Sequence, residues 1–260
     1  MYLVLLTSAT GSILFLFWYG VGLLLEFAGF VDVVYELLKA VLLFWYFPLA
    51  FLVVLHMDGF NLLEWGGFLC GSTPTLIAFS KLFCFIWLLG FLTNLSCYLA
   101  RIRFLHRICR SAIFCDGWMY DYFEQVCEEL HIPLGKVELM EDARADIPKI
   151  VGIVHPKVLI PLREYTEDEL RMIFTHELMH YKQKIIWFKH LTAIAGAIHF
   201  FNPCMWILSR KVAYWGEHVC DYESIAAVGN MKAYFNVIAA MRLNSQKGGM
   251  THVAEDKKRR

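Results

Sequence analysis

The sequence predicts an α-helical membrane protein: three N-terminal transmembrane helices, then a cytoplasmic α+β domain that carries one further membrane-dipping helical segment. Three observations predict it. Of the 260 residues, 58% are hydrophobic and only 18% charged, against about 45–50% apolar in an ordinary soluble domain. The apolar residues gather into runs long enough to cross a bilayer. From Gly117 to Lys184 the pattern changes to short β-rich runs broken by Gly and Pro, and then to a helix with its own start signal.

Leu3 to Phe27, Leu37 to Met57 and Leu76 to Leu99 each supply the roughly 20 helical residues that a bilayer core requires. The first lacks a basic leader and a small-residue cleavage site, so it reads as a retained span and not as a removed signal peptide. Pro48 is expected to kink the second. Directly after the third come Arg101, Arg103, Arg107 and Arg110, whereas the stretch from Asp58 to Thr75 holds no Lys or Arg. Positive charge stays on the cytoplasmic side, which puts residue 101 onward in the cytoplasm and the N-terminus outside. The expected division is a transmembrane region over 1–100, a cytoplasmic domain over 101–243 that includes a membrane-associated segment at 185–208, and a polar basic tail over 244–260. The eight cysteines form no C-x-x-C pair and mostly fall in apolar runs, which predicts neither a zinc ribbon nor a disulfide framework. A formal net charge of zero gives no reason to expect nucleic-acid binding.

Within the polar region, Tyr120 to Leu130 reads as a helix, and "KVELM", "KIVGI" and "KVLIP" read as strands of a small sheet. An edge made by "KIVGI" would be able to accept an extended peptide as an added strand. Thr166 and Glu169 then have capping-box spacing and open a helix. On it His176 and His180 lie four residues apart, so both imidazoles leave one face and can share an ion. Glu177 lies beside them, placed to act as general base toward an attacking water. By ordinary residue frequencies H-E-x-x-H arises by chance in about one chain of this length in a hundred. A metal site is therefore favoured over a solvent-facing helix with incidental histidines.

A catalytic zinc ordinarily takes three protein ligands. Asn202-Pro203 has the chemistry of a helix start, and on the helix that follows Glu217 and Asp221 share a face. Glu217 can complete the site, and Asp221 can accept the other ring N–H of a ligating histidine and fix its tautomer. His218 and Cys220 point from other faces and are left out as ligands. His190 and His199 read as packed or interfacial histidines, and Lys81 as a snorkelling lysine. The segment 185–208 is apolar enough to pass for a fourth span. Were it to cross, about 30 Å of bilayer would separate Glu217 from the two histidines. Lys182 and Lys184 before it and Arg210 and Lys211 after it instead keep both ends on one side, so the segment is expected to enter the membrane, turn near Asn202-Pro203 and return.

"HELMHYKQ", "FNP" and "EHVCD" together resemble the BlaR/MecR-type membrane metallopeptidases, peptidase family 56 of the metallo class, which are antirepressors that transmit β-lactam detection across the membrane. The likeness covers most of the chain, including the leading spans and the basic exit from the third. It implies a gluzincin-like zinc-metallopeptidase domain holding one Zn²⁺ per chain, with His176, His180 and Glu217 as ligands and Glu177 as general base. It further implies a multi-pass cell-membrane protein whose partners are bilayer lipid, a protein substrate such as a transcriptional repressor or the chain itself, and a second copy in a homodimer. β-Lactam-sensing members carry an additional penicillin-binding domain with an S-x-x-K nucleophile. No S-x-x-K occurs here, which leaves either a member without the sensor or a piece of a longer protein. Two other readings stay open: a housekeeping membrane protease of the HtpX type, and a catalytically silent membrane signal transducer.

Overall fold

The architecture is mostly helical with one small mixed sheet. The structure, a computed structural model, describes residues 2–46, 74–143 and 145–239. In chain order the elements are α1 (Tyr2–Phe27), α2 (Val31–Phe44), α3 (Pro74–Ser111), β1 (Ile113–Phe114), α4 (Trp118–Glu129), β2 (Glu138–Asp142), β3 (Lys149–Val151), β4 (Lys157–Pro161), α5 (Glu167–Lys182), α6 (Ile185–Ile198) and α7 (Pro203–Val228). A last helix, α8, covers 231–239. The chain forms two compact units. One holds Met1–Ala100 and Phe188–Trp215, and the other holds Arg101–Trp187 and the chain from Gly216 onward. Segment 185–208, grouped by sequence with the domain after residue 100, thus falls for the most part within the first unit.

In the first unit α1 and α3 are long and apolar enough to cross a membrane, over Val4–Phe27 and Lys81–Ser111. Phe17, Leu24 and Phe27 of α1 and Phe79, Phe85 and Leu89 of α3 are exposed, the surface that a hydrocarbon solvent would cover. α3 differs from expectation in running without a break through Arg101, Arg103, Arg107 and Arg110 to Ser111. Arginine is a good helix former, and nothing in the sequence supplies a stop there. The second expected span is met only in part. α2 starts earlier, at Val31, and ends at Phe44, while the rest of the expected span and Pro48 lie outside the described residues.

α6 has 14 residues, about 21 Å of helix, too short to cross a hydrocarbon core of about 30 Å. It ends in a turn, and Asn202 opens α7 by accepting the Cys204 N–H on Oδ1 at 2.9 Å. The amide of Asn202 also donates to Ser8 Oγ at 2.6 Å and Ser12 Oγ at 2.8 Å, which gives the buried Ser8 hydroxyl a partner in apolar surroundings, while the Ser12 hydroxyl itself donates to the Ser8 carbonyl at 2.7 Å. His199 is buried against Trp45, with ring centroids 5.0 Å apart and Nε2 3.3 Å from the Trp45 carbonyl. His190 pairs with the Tyr98 hydroxyl. Both are packing histidines. Trp45 in turn lies on Gly11, where an added Cβ would come within 2.7 Å of the indole.

The second unit is built on a sheet of order β1-β2-β4-β3. β2 and β4 run parallel in the middle, and β1 and β3 are antiparallel edges. The central positions Leu139, Val158, Leu159 and Ile160 are fully buried, as the near-continuous apolar run of a covered parallel pair requires. The end of α3 packs on the sheet through Ile108, against Met140 and Leu159. α4 meets α5 through Phe123 and Phe174, edge to face at 5.1 Å. α8 meets α5 through Tyr234 and Ile238 against Met172.

Candidate metal centre

α5 opens with a complete capping box. The Thr166 hydroxyl accepts from Glu169 N–H at 3.2 Å, and Glu169 Oε2 accepts from Thr166 N–H at 3.0 Å. Two of the otherwise orphaned amides of the first turn are thereby used, and the register of the next two turns is fixed. Met172 to His180 are then buried without interruption. His176, Glu177 and His180 are each only 6% exposed, which removes the solvent-facing reading of the motif. Polar groups buried this deeply require partners.

Those partners come from α7, α8 and the sheet edge. Nε2 of His176 and Nε2 of His180 are 3.3 Å apart, and Glu217 Oε2 lies 3.8 Å from the first and 3.7 Å from the second. Among the described residues these three form the group of metal-capable side chains. A triangle with sides of 3.3, 3.7 and 3.8 Å has its three corners about 2.1 Å from a common centre, which is the length of a zinc–nitrogen or zinc–oxygen bond. Two buried imidazoles and a carboxylate that converge on one point can share a cation between them, and the donor set fits zinc in kind, number and size.

The far side of His176 is held as well. Nδ1 lies 2.6 Å from the Tyr234 hydroxyl and 3.3 Å from Asp221 Oδ1, and Tyr234 donates to the same Asp221 oxygen at 2.8 Å. The consistent assignment is Nδ1–H donating to the phenol oxygen, with the phenol O–H passing on to the carboxylate. That puts the proton on Nδ1 and the lone pair on Nε2, facing the ligand group. Burial opposes charge on His176, but the hydrogen bonds with Asp221 and Glu217 outweigh it and push its pKa up to about 9. Burial, followed by the Asp221 charge, pushes the Tyr234 phenol up, so it stays a proton donor.

Glu177 turns to the sheet. Its Oε2 accepts the backbone N–H of Ile150 at 2.7 Å, from the side of the edge strand β3 that β4 does not use. Sequence motifs brought His176, Glu177, His180, Glu217 and Asp221 to notice, and the structure brings all five into one cluster with Tyr234 and Ile150. Of the two neighbours left out as ligands, His218 is exposed and Cys220 fully buried, and neither belongs to the donor group.

The family model described as BlaR1 peptidase M56 matches residues 74–250, more than half of the chain and the whole of this site. The chain belongs to that family. Among curated proteins, it is similar to the regulatory protein BlaR1 of Bacillus licheniformis, 27% identical over 89 residues, 34% of this chain and 15% of that protein. It is also similar to the methicillin resistance mecR1 proteins of Staphylococcus aureus and Staphylococcus epidermidis, each 22% identical over 141 residues, 52% of this chain and 24% of theirs. The matches thus span under a quarter of the relatives' own length. The family expected from "HELMHYKQ", "FNP" and "EHVCD" is the one found.

Two members of the M56 site had no motif to announce them. Tyr234 follows a legible boundary, since Gly229 takes φ +76° and Asn230 Oδ1 caps α8 by accepting the Ala233 N–H at 3.1 Å. Nothing in the local sequence says which residue of α8 meets His176. For Ile150 the strand was legible, and its contact with Glu177 follows only from the edge position of β3.

Proposed function

We propose that this chain is a membrane-embedded zinc endopeptidase that cleaves a cytoplasmic regulator, of the repressor kind, or its own chain in transmembrane signalling. The observation that carries the reading is the 2.1 Å circle of His176, His180 and Glu217 with Glu177 fixed beside it. A structural zinc has no need of a buried glutamate outside its ligand set, and a housekeeping protease would share the same chemistry with a different clientele. The apolar α1 and α3 hold the protein in the bilayer. The basic run from Arg101 to Arg110 supports a site on the cytoplasmic side.

A zinc in this site would polarise the scissile carbonyl and make the attacking water more acidic. His176, His180 and Glu217 would hold the ion, and Tyr234 and Asp221 would keep the His176 lone pair aimed at it. Glu177 takes the water's proton and passes it to the leaving amine, with its carboxylate oriented by the Ile150 N–H. An extended substrate pairs with the free edge of β3 past Ile150, which brings its backbone beside Glu177. The test is metal analysis together with a cleavage assay. Wild type should carry about one zinc per chain and Glu177→Gln should carry the same amount, with cleavage lowered by about 10²- to 10⁴-fold. Cleavage by Glu177→Gln at the wild-type rate sinks the peptidase reading in favour of a silent transducer.

A further inference from the structure

A cavity of about 430 Å³ opens beside the metal centre, with His180 in its wall. Buried Ile132 and Pro156 contribute apolar lining, and exposed His131, Lys136, Lys182 and Lys184 contribute basic groups. Among the described residues no acidic side chain lines it. Gly152, Ile153 and Val154 form another part of the wall. Gly152 is two residues beyond Ile150, the residue bonded to Glu177, which is roughly 7 Å along an extended chain. A peptide paired with β3 and cut at Glu177 would therefore deliver a side chain one or two positions from the scissile bond into this cavity.

The backbone around the cavity is unusual. Among the described residues, the non-glycine residues with positive φ are His131, at 57°, and Lys184, at 55°, and both line it. Each follows a helix end, α4 and α5 respectively, at the left-handed position that glycine ordinarily fills. The Ile132 N–H reaches back to the Cys127 carbonyl at 2.8 Å, and the Lys184 N–H to Tyr181 at 3.0 Å. A side chain there costs conformational energy that glycine would not, and strain of this kind collects at functional sites. Gly152 is left-handed too, at φ +93°, and an added Cβ would lie 2.5 Å from the His155 carbonyl oxygen. The bland account is that basic residues offset the negative ends of two helices. That account does not explain why both strained ends and Lys136 ring one cavity against the catalytic wall.

We infer that this cavity is a specificity pocket that takes a glutamate or aspartate side chain of the peptide being cut, its methylenes on the apolar lining and its carboxylate among Lys184, Lys136 and His131. The inference rests on the peptidase reading above. Each exposed ion pair is weak, so the three together correspond to a preference of about five- to tenfold, falling toward parity near 0.5 M salt.

The test uses the zinc-loaded full chain in phosphatidylcholine nanodiscs and ten-residue peptides that differ only in carrying Glu, Gln, Leu or Lys at each position in turn. Expected is a Glu-over-Gln advantage in kcat/KM at a single position next to the cut. Lys184→Gly should lose most of that advantage while its melting temperature holds or rises, because glycine relieves the left-handed backbone. A role confined to capping α5 predicts unchanged selectivity in Lys184→Gly. Equal cleavage of Glu and Gln peptides by wild type overturns the pocket and leaves the peptidase intact. The pocket also falls if Lys184→Gly slows all peptides alike and only in nanodiscs containing phosphatidylglycerol, since the basic groups then serve lipid. If wild type cuts nothing, the peptidase reading fails, and fluorescence anisotropy of the same peptides on Glu177→Gln decides the pocket. Tighter binding of Glu than Gln at one position keeps it, and equal binding removes it.

Discussion

His176 has polar partners on both ring nitrogens, His180 and Glu217 on one and Tyr234 and Asp221 on the other. Two predictions belong to it. Tyr234→Phe removes the hydroxyl that joins Nδ1 to Asp221, and Asp221→Ala removes the end of the same chain, so each should weaken zinc affinity by about 10- to 100-fold. Because they act through one path, the double variant should lose much less than the product of the two. Competition titration against a chromophoric chelator reads this directly, and full additivity would show that the two side chains act separately. The second prediction concerns pH. In the metal-free chain the pKa of His176 is raised to about 9 from an unfolded value near 6.5. Its protonated form therefore contributes stability that is fully present below about pH 6.5 and is lost as pH rises through about 9. Zinc requires the neutral ring, so uptake at pH 7.5 should release about one proton, and apparent affinity should rise roughly tenfold per pH unit up to about 9. Melting temperature should consequently fall as pH rises from 6.5 to 9 in chelator and stay level in zinc, where the gain in affinity offsets that loss. Parallel curves would mean that His176 is not where the metal binds.

Elements were legible where the local code is self-sufficient. The capping box at Thr166 and Glu169, the three β-rich runs and the Asn202-Pro203 start all appear with small shifts of boundary, because each is set by residues a few positions apart. The continuation of α3 through its arginines was not legible, since a basic run marks a membrane interface and not a helix end. Nor was the pairing of β2 with β4 across the intervening β3, which depends on which face of each strand the helices cover. Asn202 combines both kinds of information. Its cap on α7 could be read, and its bonds to Ser8 and Ser12 could not. Asn202→Ala should therefore cost about 1 kcal/mol for the cap, with a further contribution from the lost bonds to Ser8 and Ser12. Glu217 lies about four turns further along the helix, so zinc affinity should stay within about twofold. Thermal unfolding in detergent alongside zinc titration separates the two, and a large loss of zinc affinity would show that the helix start positions the ligand.

At the scale of the whole molecule the chain passes between its two compact units three times, after Ala100, after Trp187 and after Trp215. The middle passage is the one on which the metal centre depends. His176 and His180 precede the apolar stretch 185–208 and Glu217 follows it, yet their ligand atoms lie within 4.8 Å of one another. A segment that ended on the opposite side of a bilayer about 30 Å thick could not satisfy that distance. α6 is too short to cross, and the chain makes a turn between Ile198 and Pro203, closed by the Asn202 N–H on the His199 carbonyl at 2.9 Å. The last prediction follows for the intact protein in its membrane: reporters fused after Gln183 and after Lys247 should give the same signal, and the basic residues on both flanks make that signal cytoplasmic. A reporter after Met1 should give the opposite one. Reporters of opposite sign at 183 and 247 would remove Glu217 from the site and leave two histidines to hold the ion. Equal but extracellular signals at both would keep the metal centre while moving its substrate from a cytoplasmic regulator to the outer face of the membrane.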